Sequence, residues 1–276
     1  MNRSRISEPG LSERSKMCET SKARGRRTRF VTILIAAALS FTLGTGVLWA
    51  GPPFFTDDPE TPEYRHWEFY VASQYTKSDE GKSGTAPHFE MNYAVLPDVM
   101  LHTIVPFAWD KPNDESSKYG LGDVELGVKY RFIHESDTIP QVGTFPILTL
   151  PTGDEDRGLG EGRAKLFLPL WFQKSWGPWS SYAGGGYWIN PGNDRQNYWF
   201  TGWQVQRELS KLLTLGAEIF YVTADTVDGG NSSGFNAGAI INLTKRHHLL
   251  FSIGQDIHGG NDLSMYLGYQ LTLGPR

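Results

Sequence analysis

The stretch that decides the fold is Tyr119 to Phe132, YGLGDVELGVKYRF. One face of this stretch is apolar and carries Val124, Leu126, Val128, Tyr130 and Phe132, whereas the other carries Asp123, Glu125, Lys129 and Arg131. Because successive side chains of a strand point to opposite faces, the alternation predicts a β-strand with one apolar and one charged face. The stretch is longer than a usual soluble strand and suits a tilted strand that crosses a bilayer. A strand of a soluble sandwich can alternate in the same way, so the rest of the chain decides between the two.

The same alternation recurs between residues 65 and 273 and predicts about 12 strands. They are Arg65–Lys77, His88–Leu96, Val99–Trp109, Tyr119–Phe132, Gln141–Leu150, Arg163–Lys174, Trp179–Asn190, Asn197–Glu208, Leu212–Ala224, Gly234–Leu243, His248–Asp256 and Leu263–Leu273. The connections tend to alternate between tight turns and longer loops, such as Ser78–Pro87, Pro151–Gly162 and Asp225–Ser233. This pattern is typical of outer-membrane barrels, which have short periplasmic turns and longer outer loops. We therefore expect an all-β fold, a transmembrane antiparallel up-and-down β-barrel.

The front of the chain has the composition of a secretory signal peptide. Residues 1–29 are rich in Arg and Lys, and an uncharged run from Phe30 to Ala50 follows. We expect a signal peptide over residues 1–50, cleaved after Ala50 or after Gly46, with an uncleaved signal anchor as the competing interpretation. Translation starts at Met1 or at Met17 under this interpretation. The remaining domains are then a periplasmic N-terminal segment over residues 51–64 and the barrel over residues 65–273.

Charge and cysteine content limit the function of the mature part. Residues 1–50 hold 9 of the 26 basic and 3 of the 30 acidic residues, so the rest has 17 basic and 27 acidic residues and a net charge of −10. A surface of this sign argues against nucleic acid as a partner. Cys18, the only cysteine, lies in the leader, so the mature part offers no disulfide. The histidines lack the spacing of zinc motifs, and no cofactor is predicted.

The charged faces of the strands belong inside the predicted barrel. An Arg or Lys that faces hydrocarbon at mid-bilayer costs about 2–4 kcal/mol, so the polar face turns inward. The predicted lumen-lining residues are Glu90, His102, Asp123, Glu125, Lys129 and Arg131. They form either a charged constriction of a pore or a ladder of ion pairs that plugs a narrow barrel. Barrels of eight strands are filled by side chains and those of sixteen leave a channel, so 12 strands leave both interpretations open.

Tryptophan is the second signal of a membrane barrel. Several of the tryptophans fall near predicted strand ends, where an aromatic girdle lies at the lipid–water interface of such barrels. The full set after residue 50 is Trp67, Trp109, Trp171, Trp176, Trp179, Trp188, Trp199 and Trp203, and ordinary core positions are an alternative for Trp199 and Trp203.

Three short motifs resemble one known family. They are Gly120-Leu121-Gly122-Asp123 with Lys129-Tyr130-Arg131, then Leu150-Pro151-Thr152-Gly153, and Thr56-Asp57-Asp58-Pro59 near the start of the mature part. Together they resemble the outer-membrane family of the meta-pathway phenol-degradation proteins, whose members are labelled as transporters. The resemblance implies an outer-membrane barrel linked to the breakdown of aromatic compounds. It implies no catalytic residues.

Three functions follow as hypotheses. The first is an outer-membrane channel or transporter for small molecules, with aromatic compounds among them. The second is a structural or surface-binding barrel with a plugged lumen. The third is a barrel lipid hydrolase, which needs a Ser and a His on neighbouring strands, for instance Ser252 near His248, although the sequence has no Gly-x-Ser-x-Gly motif. The expected partners are outer-membrane lipid and lipopolysaccharide, the barrel assembly machinery and a small-molecule solute, without nucleic acid.

Overall fold

Strands make up nearly all of the regular structure. The computed structural model describes residues 52–275, and the predicted signal peptide lies outside the described residues. Fourteen strands run in chain order: β1 Trp67–Lys77, β2 Gly81–Leu96, β3 Val99–Pro112, β4 Lys118–Leu121, β5 Val124–Ile133, β6 Gln141–Thr144, β7 Ile147–Leu150, β8 Lys165–Trp176, β9 Trp179–Ile189, β10 Tyr198–Ser210, β11 Leu213–Val222, β12 Ser232–Asn242, β13 His247–His258 and β14 Leu263–Leu273. One 3₁₀-helix, Glu155–Arg157, lies in the loop before β8.

The strands close into a barrel. Neighbours along the chain pair antiparallel, and β1 also pairs with β14, where Trp67 lies opposite Leu273. β4 and β5 both pair with β3, and β6 and β7 lie together between β5 and β8, so each of these two pairs occupies one position in the wall. The result is a closed antiparallel barrel of 12 strands, which confirms the predicted fold class. Closure leaves no free strand edge, so the backbone N–H and C=O groups of the strands find hydrogen-bond partners within the barrel, as a lipid environment requires.

Two of the predicted strands are interrupted. Tyr119–Phe132 was expected as one strand, but Gly122 and Asp123 separate β4 from β5. The Asp123 carboxylate accepts hydrogen bonds from the backbone N–H groups of Gly153 (2.9 Å) and Glu161 (2.7 Å), so it holds the long loop before β8. Gln141–Leu150 breaks at Pro146, which has no N–H group to donate to a neighbouring strand.

The predicted outer loop Ser78–Pro87 is wrong for most of its length. Only Ser78–Glu80 connects the strands, and Gly81–Pro87 continues β2, paired with both β1 and β3. The composition of this part, rich in Gly, Ser and Thr, is typical of loops. Here, however, it suits close packing between strands, because a β-carbon at Gly84 would collide with the carbonyl oxygen of Gln74.

Polar and apolar faces are inverted relative to a soluble protein. Large apolar side chains on the outer face are exposed, among them Val71, Leu101, Leu126, Val128, Leu170, Phe251 and Leu267. The alternate, inward positions hold buried polar side chains, among them Glu90, Asn92, Lys129, Gln173, Gln204, Glu218 and Gln270. Such a distribution is that of a transmembrane barrel with an apolar outer band. Within residues 52–275, no helix is long and apolar enough to cross a membrane.

Connection lengths differ between the two ends of the barrel. At the end where β1 begins and β14 finishes, four of the connections are tight turns, at 97–98, 177–178, 211–212 and 243–246, and the fifth, 134–140, is longer. The opposite end, called here the long-loop end, carries the connections 78–80, 113–117, 151–164, 190–197, 223–231 and 259–262.

Candidate functional site

The most distinctive feature of the lumen is the chain that precedes β1. Residues 52–63, called here the N-terminal segment, contact strands on many sides of the barrel. Ser252 of β13 donates a hydrogen bond to the Pro53 carbonyl (2.6 Å), and Phe54 lies against Gly216 of β11 and Gly238 of β12. Only the interior of a closed barrel is reached by so many strands at once, so the segment lies in the lumen. The sequence-based prediction of a periplasmic segment over residues 51–64 did not anticipate this position.

Glu218 of β11 anchors the N-terminal segment through its carboxylate. One oxygen accepts the backbone N–H of Phe55 (2.8 Å), and the other accepts that of Thr56 (2.7 Å). Asn236 of β12 donates to the same carboxylate at 2.6 Å. Sequence reasoning missed Glu218, although its alternation with Ala217 and Ile219 places it on the inner face.

Lys129 of β5 provides a second anchor. Its ammonium group lies 2.9 Å from the Asp57 carboxylate and 4.0 Å from that of Asp58, and it also lies over the Phe145 ring at 4.9 Å. The Lys129 side chain is only 6% exposed, and Asp58 is fully buried, where burial raises the pKa of its carboxyl group against the opposing charge of Lys129. A buried ammonium group is stable only with such compensation, so the pair couples the wall to the segment.

Two other predicted lumen residues form a network next to Lys129. Asn92 donates to the Glu90 carboxylate at 2.8 Å and contacts Nδ1 of His102 at 2.7 Å. The same histidine nitrogen lies 3.6 Å from Glu90. All three side chains are buried. Glu90 and His102 therefore belong to the inner surface that surrounds the segment.

The remaining three predicted residues serve other parts of the barrel. Arg131 pairs with Asp98 in the β2–β3 turn through its Nη2 (2.6 Å) and Nε (2.9 Å). Partial burial would raise the pKa of Asp98, but the hydrogen bonds and charges of Arg131 and His134 outweigh burial and lower it. Asp123 holds the long loop, and Glu125 lies half-buried opposite Ile104 of β3. The six residues thus do not form a single charged ring.

Aromatic rings follow the inner wall from the N-terminal segment to the long-loop end. Phe55 of the segment meets Phe220 edge-on at a centroid distance of 5.1 Å, and Phe220 is 6.5 Å from Phe200. Phe200 lies 6.4 Å from Phe167, which stacks on Trp188 at 4.7 Å, and Trp188 stacks on Tyr198 at 5.8 Å. These six residues are called the aromatic row. Its five members on β8–β11 alternate with outward residues, and sequence analysis had included Trp188 among the tryptophans considered for a girdle.

The long-loop end of the aromatic row is lined with ion pairs. Lys165 lies over the Trp188 ring at 5.7 Å and 3.4 Å from Glu161. Arg195 lies 3.7 Å from both Glu161 and Asp225. Acidic and basic groups are interspersed here, so this mouth has no surplus of positive charge.

The residues considered for a lipid hydrolase do not meet. Ser252 and His248 are four residues apart on β13, about 13 Å along the strand, and both face the lumen. The Ser252 hydroxyl donates to Pro53, and Nδ1 of His248 contacts Asn242 at 2.7 Å. Among residues 52–275, no group of three or more His, Cys, Asp or Glu side chains is arranged to hold a metal ion.

Comparisons with solved structures agree with the fold. An outer membrane channel from Pseudomonas putida F1 matches with a TM-score of 0.66 and 18% identity over 78% of this chain and 98% of the channel. The NanC porin matches with a TM-score of 0.54 and 9% identity, over 74% of this chain and all of the porin. The translocator domain of the autotransporter NalP from Neisseria meningitidis matches with a TM-score of 0.51 and 11% identity, over 93% of this chain and 97% of that domain. At these identities the likeness establishes the barrel fold alone.

The family is established at the level of sequence. No curated protein matches the chain. A family model described as the MetA-pathway of phenol degradation matches residues 69–267, which covers the strands from β1 to β14. This match agrees with the resemblance carried by the three motifs. The chain therefore belongs to the MetA-pathway of phenol degradation family.

Proposed function

We propose that the protein is an outer-membrane channel for small, uncharged aromatic molecules, and that its own N-terminal segment closes the lumen at rest. The observation that carries this proposal is the aromatic row, which connects the segment to the long-loop end along the inner wall. Rings pack against one another at centroid distances of about 4.5–7 Å, so a solute ring can exchange one contact of the row for the next. The inner positions of the other strands are mixed, with polar side chains such as Asn92 and Gln270 beside apolar ones such as Met100 and Leu250.

The charge of the lumen disfavours anionic solutes. Among the described residues, the buried charged side chains include the carboxyl groups of Asp58, Glu68, Glu90 and Glu218 and the ammonium group of Lys129. Acidic groups outnumber basic ones among these buried residues, so the lining offers an anion few partners. Phenols have a pKa near 10 and are uncharged at neutral pH, so they need no such partner, whereas aromatic carboxylates do. The family description points to the same class of compound.

Export and partners complete the proposal. Residues 1–50 act as a signal peptide, cleaved after Ala50 or Gly46, and the barrel assembly machinery inserts the strands into the outer membrane. The long-loop end then faces outward, where its acidic residues approach lipopolysaccharide. The support for this part is the composition of residues 1–50 and the unequal connection lengths at the two ends.

Interruption of ion current by solutes tests the proposed channel. Purified protein in a planar bilayer is exposed to phenol, to cyclohexanol as a non-aromatic alcohol of similar size, and to benzoate. We expect phenol to interrupt the current for longer than the other two. Phe200→Leu shortens the phenol events because it removes a ring from the middle of the aromatic row, whereas Phe251→Leu on the outer face leaves them unchanged. Equal interruption by phenol and cyclohexanol would contradict the proposal.

A barrel with a permanently closed lumen is the second candidate. The full burial of Thr56 and Asp58 favours it, because both are held by hydrogen bonds or ion pairs to the wall. A variant that lacks residues 52–60 separates the two functions. The channel predicts discrete, larger conductance steps for this variant. A variant that folds as a barrel but gives no steps supports the closed barrel.

A further inference from the structure

A cavity of about 140 Å³ lies in the lumen on the side opposite the aromatic row. Residues 52–55 of the N-terminal segment form one side, and residues of β1–β3 and β12–β14 form the other. The wall residues of the aromatic row lie on β8–β11, and the row shares only Phe55, of the N-terminal segment, with this cavity. Apolar cavities of about 150 Å³ in other proteins bind benzene, so the volume matches one aromatic ring.

The apolar part of the cavity is held in a fixed shape. Phe54 and Ile104 contribute apolar surface, and the ring of Tyr266 adds an aromatic face. Phe54 packs where β-carbons at Gly216 and Gly238 would lie 2.8 and 2.9 Å from its ring, so two glycines admit this side chain. The space beside Phe54 is therefore preorganised for a flat apolar group.

The polar part of the cavity includes a buried hydroxyl group and a buried carboxyl group. Tyr266 is only 7% exposed, and its hydroxyl group has no hydrogen-bond partner among the described residues. Glu90 is 4% exposed and lines the same cavity, and the His88 ring lies 5.9 Å from that of Tyr266. A phenolic hydroxyl can donate one hydrogen bond and accept another. It can therefore donate to an oxygen of the Glu90 carboxyl group and accept from the Tyr266 hydroxyl.

We propose that this cavity is a binding site for one uncharged, hydroxylated aromatic ring, held between the N-terminal segment and the barrel wall. A hydrocarbon ring of the same size leaves the buried Tyr266 hydroxyl without a partner, which is costly. An aromatic carboxylate is disfavoured, because no lysine or arginine lines the cavity to balance its charge. The site deepens the proposed function and rests on it for the route by which the ligand enters the lumen.

Equilibrium dialysis of labelled phenol against detergent-solubilised protein tests the site. We expect saturable binding of labelled phenol. Unlabelled phenol should displace it fully, toluene should displace it weakly, and benzoate should not displace it. Tyr266→Phe weakens phenol binding about fivefold, the effect of losing one hydrogen bond. The matched control is Tyr182→Phe, which removes another buried hydroxyl without a partner, on β9 and away from the cavity, and leaves binding unchanged.

Filling the cavity gives a second measurement. Ser264 faces the cavity from β14, and Ser264→Phe abolishes saturable binding if the barrel still resists unfolding in unheated detergent samples. Where this variant does not fold, the two tyrosine variants decide. Equal phenol affinity in Tyr266→Phe and the unaltered protein, or equal competition by phenol and benzoate, overturns the site.

The proposed binding site and the proposed channel can be contradicted independently of each other. Saturable binding in a protein whose bilayer current phenol never interrupts supports the site and contradicts the channel. Interruption of the current without saturable binding supports the channel and overturns the site.

Discussion

The ammonium group of Lys129, in the middle of β5, lies 2.9 Å from the carboxylate of Asp57, 72 positions earlier in the chain. This pair joins the barrel wall to a segment that has no strand of its own. Glu218 holds the same segment from β11, through the backbone N–H groups of Phe55 and Thr56. Charged side chains of β5 and β11 therefore hold the N-terminal segment, in addition to the hydrogen bond from Ser252 of β13 to Pro53.

Replacement of Lys129 by glutamine should loosen the N-terminal segment. Loss of one partner of a buried ion pair costs about 3–5 kcal/mol, because it leaves the Asp57 and Asp58 carboxylates without compensation. We expect a lower unfolding temperature, more frequent opening in a planar bilayer and a reversal potential shifted toward cation selectivity. Lys174→Gln is the control. The Lys174 side chain is 33% exposed, so its ion pair with Glu135 contributes only about 0–1 kcal/mol to the free energy of unfolding. An unchanged reversal potential with a large loss of stability would show that Lys129 does not line the conducting path.

A reversible crosslink should lock the N-terminal segment in the lumen. A β-carbon added at Gly202 would lie 3.1 Å from that of Thr56, close to the separation of about 3.5–4.5 Å in disulfides. The double variant Thr56→Cys and Gly202→Cys should show little current when oxidised and normal current after reduction. The two single variants serve as controls, since residues 51–276 contain no cysteine. Equal current in the oxidised and reduced double variant would contradict closure by this segment.

Asp98 should contribute to stability in a pH-dependent way. Its pKa is lowered in the folded barrel by Arg131 and His134, against the opposing effect of burial. Because the pKa of Asp98 is lower in the folded state, Asp98 stabilises the fold at pH values above its ordinary pKa of 3.8. This contribution is lost as the pH falls through the pKa of the folded state. At pH 7, Asp98→Asn should therefore unfold at a lower temperature than the unaltered protein. Asparagine tolerates the positive φ of 65° at this position, so the substitution adds no backbone strain. At about pH 2.5 the difference from the unaltered protein should shrink. A difference that is the same at both pH values would contradict this assignment.

Orientation in the membrane can be tested with cysteines in the connections. Single cysteines at Asp79, Asp156 and Asp228, all at the long-loop end, should react with an impermeant maleimide on intact cells. A cysteine at Lys211, in a tight turn at the opposite end, should react only after permeabilisation. Labelling of the Lys211 position on intact cells would reverse the orientation.

The sequence by itself determined the barrel and the direction of most side chains. Alternation is a local property of a strand, so the faces of Leu126, Val128 and Lys129 are readable from their positions alone. The terminal strand Leu263–Leu273 begins and ends at its predicted residues. The same alternation indicated inward positions for Glu90, His102 and Lys129, which the structure brings together around the N-terminal segment. Interruptions such as that at Pro146 were less visible, because the flanking residues continue the alternation.

Only the tertiary structure decided where the N-terminal segment lies and what it forms with the wall. The segment has no periodicity, and its contacts join residues far apart in the chain, such as Pro53 with Ser252 across 199 positions. The aromatic row likewise depends on the register between β8, β9, β10 and β11, which sets Trp188 beside Phe167 and Tyr198. Register between strands and the path of an aperiodic segment result from packing across the whole barrel, so a pattern within one strand does not contain them.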